Sequence, residues 1–549
     1  MSGRRGRQHA WVLLAVVILS APVWAAQTAP TDDAMLAALR DASLADKAAI
    51  IQQLADSGRP WARTVLAALL DDRLFARQRN GRVFILPSSD ENTTTVELID
   101  PLTGHPQGTA SRDEIVKIGT NNQLRKRLRV ALARFDLNSP DRDTRLASAQ
   151  ELLRSLDDEG IALLKARRAV EHDRRVRGEI DVGLALAALS SPDAQTRLDA
   201  VHTLAGQLRP EARNALAALV DRAPDGSVAE PDGRVRAAAA DAIRGIDRRR
   251  AFYASVQTLF FGLSVGAVLV LVAIGLAITF GLMGVINMAH GEFMMLGAYT
   301  TYLVQLAMPQ HIGASVLVAI PAAFVVAGIA GVILERTVIR FLYGRPLETL
   351  LATFGVSLIL QQLVRSLFSA NNRAVETPQW MSGTVAVNEA LALTANRLYV
   401  IGFTLVVFAA LQIILKRTRA GLYIRAVSQN RGMAAAMGVR TSWVDAMTFG
   451  LGSGIAGMAG VALSQLTNVG PNLGQSYIID AFMVVVFGGV GNLWGTLAGG
   501  MAMGIVNQLL EPYSGAVLAK IFVLVALILF IQRWPRGVFP LSGRAAESS

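Results

Sequence analysis

Cysteine is absent from all 549 residues, which excludes disulfides and thiolate metal sites as supports for any part of the chain. Charge is scarce in one half only. The last 299 residues hold 16 Lys and Arg and 9 Asp and Glu, against 37 and 33 in the first 250. Between Ala251 and Ala289 no Asp, Glu, Lys or Arg occurs, and a bilayer crossing needs only about 20 predominantly apolar residues. That composition excludes an ordinary soluble core for this half and predicts a membrane domain. None of the six lysines is followed by Ser or Thr, so no Walker A sequence exists and any ATP serving the chain is hydrolysed on another. HExxH is missing too, and His290 and His311 are the only histidines of the apolar half, which argues against an intramembrane metalloenzyme. No metal or cofactor is expected on this chain.

At the N-terminus, Arg4, Arg5 and Arg7 precede the apolar run WVLLAVVILS, and Val23 and Ala25 stand at −3 and −1 of a cleavage site. Residues 1–25 read as a secretory signal, with an uncleaved anchor as the alternative, and either would place 26–250 across the membrane. This half contains an internal repeat. SPDRDTRLASA (139–149) and SPDAQTRLDAV (191–201) share Ser-Pro-Asp and Thr-Arg-Leu at the same offsets, 52 residues apart, and the stretches from His172 and from Pro231 repeat an Asp, a Val-Arg and an Ala-rich helix. Ser, Pro and Asp cap helix starts, and the Leu and Ala that follow bury one face. The pattern resembles a short HEAT-like array, which serves as a binding scaffold or as a spacer. Before it, residues 81–104 alternate β-branched runs with polar turn residues and predict a small β-hairpin. The net charge of +11 comes from Arg interleaved with acids, without an aromatic RNA-binding signature, so no nucleic-acid partner is expected.

The expected fold is an all-α polytopic membrane protein behind that exported domain. Apolar runs lie near 257–280, 284–308, 312–335, 347–369, 397–415, 441–466, 477–491, 493–510 and 515–532, giving eight to nine crossings over 251–540 and a cytoplasmic tail at 541–549. An odd number starting outside puts the basic connections Arg336–Arg345, Lys416–Arg431 and Arg533–Arg536 on one side, as the positive-inside rule requires. Arg248, Arg249 and Arg250 object, but long translocated domains largely escape the rule. Small residues at four-residue spacing, Gly450 and Gly454, Ala456 and Gly460, and Gly491, Gly495 and Gly499, mark close helix packing, within the bundle or against a partner subunit. The loop 416–446 is long and basic around an Ala-rich core; Gly421, Gly432 and Gly438 bracket short helical pieces that present Arg425 and Asn430 either to anionic lipid or to a protein partner.

GVINMAHGEFMMLGAY (284–299), RAVSQNRGMAAAMGV with the trailing FGLGSGIAGMAGV, and VVVFGGVGNLWGTLAGG are similar, in order and spacing, to the permeases of the branched-chain amino acid and urea ABC importers. The resemblance covers 253–540, and with the exported extension it is nearest to the urea permeases. It implies a heterodimer with a related permease, two ATPase subunits that hydrolyse ATP, and an exported solute-binding protein in an inner membrane. It also makes the basic loop an ATPase-coupling segment, carried by Gly421, Arg425, Asn430, Ala434 and Gly438, although the acids usual in such loops are missing.

Asn287, His290 and Glu292 are the candidate pathway residues. Ionisable groups inside a bundle face a cavity or each other, so these three either clamp the broken backbone beside the pathway or hydrogen-bond the solute directly; proton coupling has no place in an ATP-driven importer. The sparse charge, Glu292, Arg365 and Asp480, suits urea or a short amide better than a zwitterionic amino acid, the alternative solute. A rival enzyme reading rests on GLSVG, a GxSxG match at Ser264 with His290 as base. The topology makes a direct prediction: a reporter fused after Arg250 is active only on the exported side, and cytoplasmic activity there overturns the arrangement.

Overall fold

A computed structural model describes residues 32–87, 95–154, 156–221 and 229–539; the expected signal segment and the tail lie outside them. The chain divides into two compact units after Ile246.

The first unit opens with α1 (Asp32–Asp41), α2 (Leu44–Asp56) and α3 (Pro60–Leu70), followed by strands β1 (Leu74–Arg77), β2 (Val83–Ile85), β3 (Thr95–Ile99), β4 (Pro106–Ser111) and β5 (Ile115–Lys117). The expected hairpin is thus one part of a five-stranded antiparallel sheet in the order β4-β3-β2-β1-β5. Periodicity hid β1 and β2 because both are short and buried on both faces, so neither alternates. Phe75, Phe84, Leu86 and Leu98 form the core of the sheet.

After the sheet come α4 (Asn122–Asp136), α5 (Arg142–Arg154), α6 (Asp158–Val170), α7 (Arg174–Ala188), α8 (Ala194–Leu204) and α9 (Pro210–Val220), then α10 (Gly233–Met283), which runs on into the second unit. The sequence repeat has a structural counterpart. Asp141 and Asp193 cap α5 and α8 by accepting from the Thr144 and Thr196 N–H, both at 2.8 Å. In each repeat an Arg one turn later donates back to the carbonyls of the Ser-Pro turn: Arg145 to Ser139 and Pro140 at 3.0 and 2.9 Å, Arg197 to Ser191 and Pro192 at 2.8 and 3.0 Å. The same guanidinium then grips a buried glutamate that precedes the second helix onward. Arg145 pairs with Glu171 before α7 at 2.9 Å, and Arg197 with Glu230 before α10 at 2.7 Å. The repeating module is therefore three helices, α5–α7 and then α8–α10.

Burial works to raise the Glu171 carboxyl, but hydrogen bonds from Arg145, the Asp173 backbone N–H and Arg167 overcome it and hold the group at about 2, against an ordinary 4.5. Arg197 likewise holds Glu230 below the usual carboxylate range.

The second unit contains the apolar end of α10, then α11 (His290–Ala307), α12 (Ile312–Thr337), α13 (Pro346–Phe368), a hairpin of β6 (Thr384–Asn388) and β7 (Leu391–Thr394), α14 (Ala395–Arg417), α15 (Arg419–Gln429), α16 (Arg431–Ala436), α17 (Thr441–Ser464), α18 (Leu473–Gly488) and α19 (Leu493–Arg533). Six helices among the described residues are long and apolar enough to cross a membrane: Gly233–Met283, Ile312–Phe341, Pro346–Phe368, Ala395–Arg417, Thr441–Ser464 and Leu493–Arg533. Eight to nine were expected, and the difference lies at α11, α18 and α19. Gly284 at φ 68° breaks the run from 284, so α11 starts at His290 and its 18 residues are more polar for carrying His290, Glu292 and Gln305; α18 has 16 residues; and α19, one continuous element by range, is divided by the non-helical Gly515 at φ 75° into two helices that match the last two runs. Large apolar side chains such as Ile329, Leu351, Ile359, Val406 and Leu529 stay exposed on α12, α13, α14 and α19, as a lipid-facing rim would have them. The N-terminal half of α11 and the C-terminal two thirds of α17 are almost wholly buried.

The first unit's duplicated ion pair yields a test in the full chain. Arg197→Met strands Glu230 in the interior, at a cost of roughly 3 kcal/mol, and hydrogen exchange of the α8 amides should accelerate roughly a hundredfold. A folded-state pKa depressed to about 2 means that the contribution of Glu171 is complete above its ordinary 4.5 and is lost as the pH falls toward 2. Protection in α5 and α7, corrected for intrinsic rate, should decline over that window and decline less in Glu171→Gln; equal decline in both removes Glu171 as the cause.

Candidate functional site

The turn before α11 and its first residues carry the three pathway candidates. Asn287 Oδ1 accepts from the Ala289 N–H at 3.0 Å, and its amide nitrogen is buried without a partner. His290 and Glu292 are two residues apart on a helix, so they point to opposite sides. His290, fully buried, donates from Nε2 to the Val272 carbonyl of α10 at 3.1 Å, which leaves Nδ1 as an unpartnered acceptor. Gly275 makes room for that ring, since a Cβ there would lie 2.8 Å from His290 Cε1. Glu292 faces α13 instead, where Ser357 Oγ and Gln361 Nε2 donate to its Oε1 at 2.9 and 2.8 Å; Oε2 is buried with no partner.

Those two donors belong to a stripe that the sequence reading missed. Thr349, Thr353, Ser357 and Gln361 recur every fourth residue along α13 and are all buried, while Leu347, Leu351 and Ile359 on the other faces are exposed. Thr353 Oγ1 accepts from the Met288 N–H at 3.0 Å, and Arg365 on the next rung donates to Asn472 at 2.6 Å. Further along, the Tyr299 ring packs 4.8 Å from that of Phe368, and its hydroxyl too is buried without a partner. The α11–α13 seam is therefore polar, and it leaves Asn287 Nδ2, Glu292 Oε2 and the Tyr299 hydroxyl unpaired. The readable signal was the four-residue spacing of hydroxyl and amide side chains inside an otherwise apolar run.

The coupling candidates form α15 and α16. Gly421 is buried against the end of α14, Arg425 donates to the Leu415 carbonyl, Asn430 Oδ1 caps α16 by accepting from Met433 N at 2.9 Å, Ala434 is buried, and Gly438 ends the segment at φ 85°. Leu422, Tyr423 and Met433 on these helices, and Met437 just past α16, are exposed. An unanticipated anchor holds them: Arg431 pairs with Asp445 of α17 at 2.6 Å and lies 5.1 Å over the Tyr343 ring, whose hydroxyl donates to Glu335 of α12 at 3.2 Å.

The packing glycines meet helices of this same chain. Cβ atoms at Gly450 and Gly454 would lie 2.7 Å from Val332 and Phe324 of α12. Gly495 and Gly499 face α18, and Gly491 lies against Gly281 of α10. Ser264 sits inside α10, buried and unpartnered, without the strand-turn-helix setting of a nucleophile elbow, while the His290 ring bonds Val272. No group of three or more possible metal ligands occurs among the described residues.

Comparison with known proteins gives the seam its context. Residues 258–532 match the family model described as branched-chain amino acid transport system / permease component. The permease protein LivH of the high-affinity branched-chain amino acid transport system of Escherichia coli K12 is 30% identical over 293 residues, covering 52% of this chain and 94% of that protein. Its Pseudomonas aeruginosa counterpart BraD is 28% identical over 296 residues, covering 52% and 96%. The ribose import permease protein RbsC of Haemophilus influenzae is 30% identical over 135 residues, covering 22% and 42%. No solved structure gives a significant match. The relatives are transport permeases and not enzymes, which sets the Ser264 hydrolase aside. With its polar seam and its basic surface helices inside the matched stretch, the chain belongs to the family of branched-chain amino acid transport system permease components.

Proposed function

We propose that the chain forms half of the membrane pathway of an ATP-driven importer of small apolar amino acids, in an inner membrane, and that solute passes along the α11–α13 seam. The observation that carries the pathway is the row of unpaired polar atoms there, because a buried polar group without a partner is costly unless a solute or water meets it. The solute class follows from the names of the relatives, which refer to branched-chain amino acids, and this displaces urea, the first expectation.

The remaining parts of the assembly are a related permease subunit, two ATPase subunits docked on α15 and α16, and an exported solute-binding protein. The exposed Met433 and Met437 offer an adaptable apolar surface for the ATPase, and the Arg431–Asp445 pair would pass its movement to α17. Residues 26–250, read as exported, would stand on the side of the binding protein.

Two outcomes test this reading. Uptake of radiolabelled leucine at micromolar concentration should be lost in cells lacking the chain, with urea uptake unchanged, and Glu292→Gln should lower leucine uptake roughly tenfold at equal membrane level. Loss of urea uptake alone restores the urea assignment, and full transport by Glu292→Gln removes this carboxylate from the pathway. Deleting residues 424–436 should abolish co-purification of ATPase subunits while insertion and the permease partner are retained; ATPase recovered in equal amount places the dock elsewhere.

A further inference from the structure

The first unit contains a cleft that the transport reading does not use. It has a volume of about 360 Å³, at the lower end of the range for small-molecule sites, and is lined by Arg40, Lys47, Arg77, Gln78, Lys117 and Gly119 among others. Four separate elements supply its cations: α1 gives Arg40, α2 Lys47, β1 Arg77 and β5 Lys117. Among the described residues no Asp or Glu lines it.

Three of the four cations have acidic partners outside the lining. Arg40 pairs with Asp41, Arg77 with Glu114 at 2.8 Å, and Lys117 with Asp72 at 3.2 Å. Lys47 differs. Its residue is only 6% exposed, and its ammonium donates to the Gly119 carbonyl at 3.2 Å, with no carboxylate partner among the described residues. A lysine is almost never buried unless it is paired. Burial accordingly pushes the Lys47 pKa below its usual value, with no neighbouring charge to offset it. A second donor in the same wall, Arg77 Nε, is buried without a partner, because the ion pair to Glu114 uses Nη2.

A lone buried ammonium, an idle guanidinium N–H and a cleft free of acids share one complement. We propose that this cleft binds a small oxyanion, whose charged oxygens are taken by Lys47 Nζ and Arg77 Nε, with Arg40 and Lys117 at its rim. Carboxylates and phosphate present the same oxygen chemistry, and both suit a cation-lined pocket of this size.

The test uses the full-length chain in detergent at physiological salt, with succinate and inorganic phosphate as separate probes in calorimetric titration. At least one should bind with a Kd below about 1 mM, and which one does so identifies the source of the oxyanion. Lys47→Met removes the buried charge at similar volume; it should unfold no more easily than the parent without anion and should bind at least roughly tenfold more weakly. Arg77→Lys keeps the charge but deletes Nε, and it should show a comparable loss, which keeps the proposal testable if Lys47→Met fails to fold. Absence of binding by both anions, or unchanged affinity in both variants, overturns the site.

Discussion

Backbone-to-backbone contact at α11 is the constraint on which the second unit depends. Gly291 meets the backbone of Gly474 on α18, and Gly297 meets that of Gly457 on α17, with no side chain between them. In a bilayer, helices gain little from burying apolar surface against each other, so close packing of this kind takes over as the cohesive force. A side chain at either position would push the helices apart. The same approach seats His290 and Glu292 in the interior, where Val272 on one side and Ser357 with Gln361 on the other meet only part of their hydrogen-bonding capacity.

The two sides of α11 therefore differ in kind. On the α10 side, His290 and Gly275 make a closed contact of one ring against one backbone. On the α13 side, hydroxyls, an amide and a carboxylate line up along a helix whose remaining faces are apolar. A polar stripe that faces inward and an apolar surface that faces outward invert the usual arrangement of a soluble amphipathic helix, as expected where lipid is the surrounding solvent and polar contact is inside.

Much of this was legible in the sequence where periodicity is strong. The apolar runs became helices, the Ser-Pro-Asp repeats became capped helix starts, and the loop at 416–446 became two short helices, capped by Thr418 and Asn430 and with Gly421 and Gly432 inside their first turns, not bracketing them. β1 and β2 were not legible, because three or four residues buried on both faces carry no alternation. A second repeat also passed unseen: Arg-Pro-x-Ala-Arg-x-x-Leu-Ala-Ala-Leu occurs at both 59–69 and 209–219, opening α3 and α9. Of the pathway residues, the sequence found the members on α11 because charge in an apolar run is conspicuous. It missed Thr353, Ser357 and Gln361 because uncharged polar residues hide among leucines until their four-residue spacing is counted. The Arg431–Asp445 anchor was beyond reach, since its partners meet only once the chain has turned.

The paired braces Arg145–Glu171 and Arg197–Glu230 each skip a helix: they fasten the first member of a module to a glutamate in the turn between the second and the third, across α6 in one case and α9 in the other. The middle helix is thus stapled inside a closed loop of chain. A force that pulls on one end of the array meets, at each module, a crosslink that must break before the first and third helices can separate. Under load such an array is expected to yield in three-helix steps and not helix by helix.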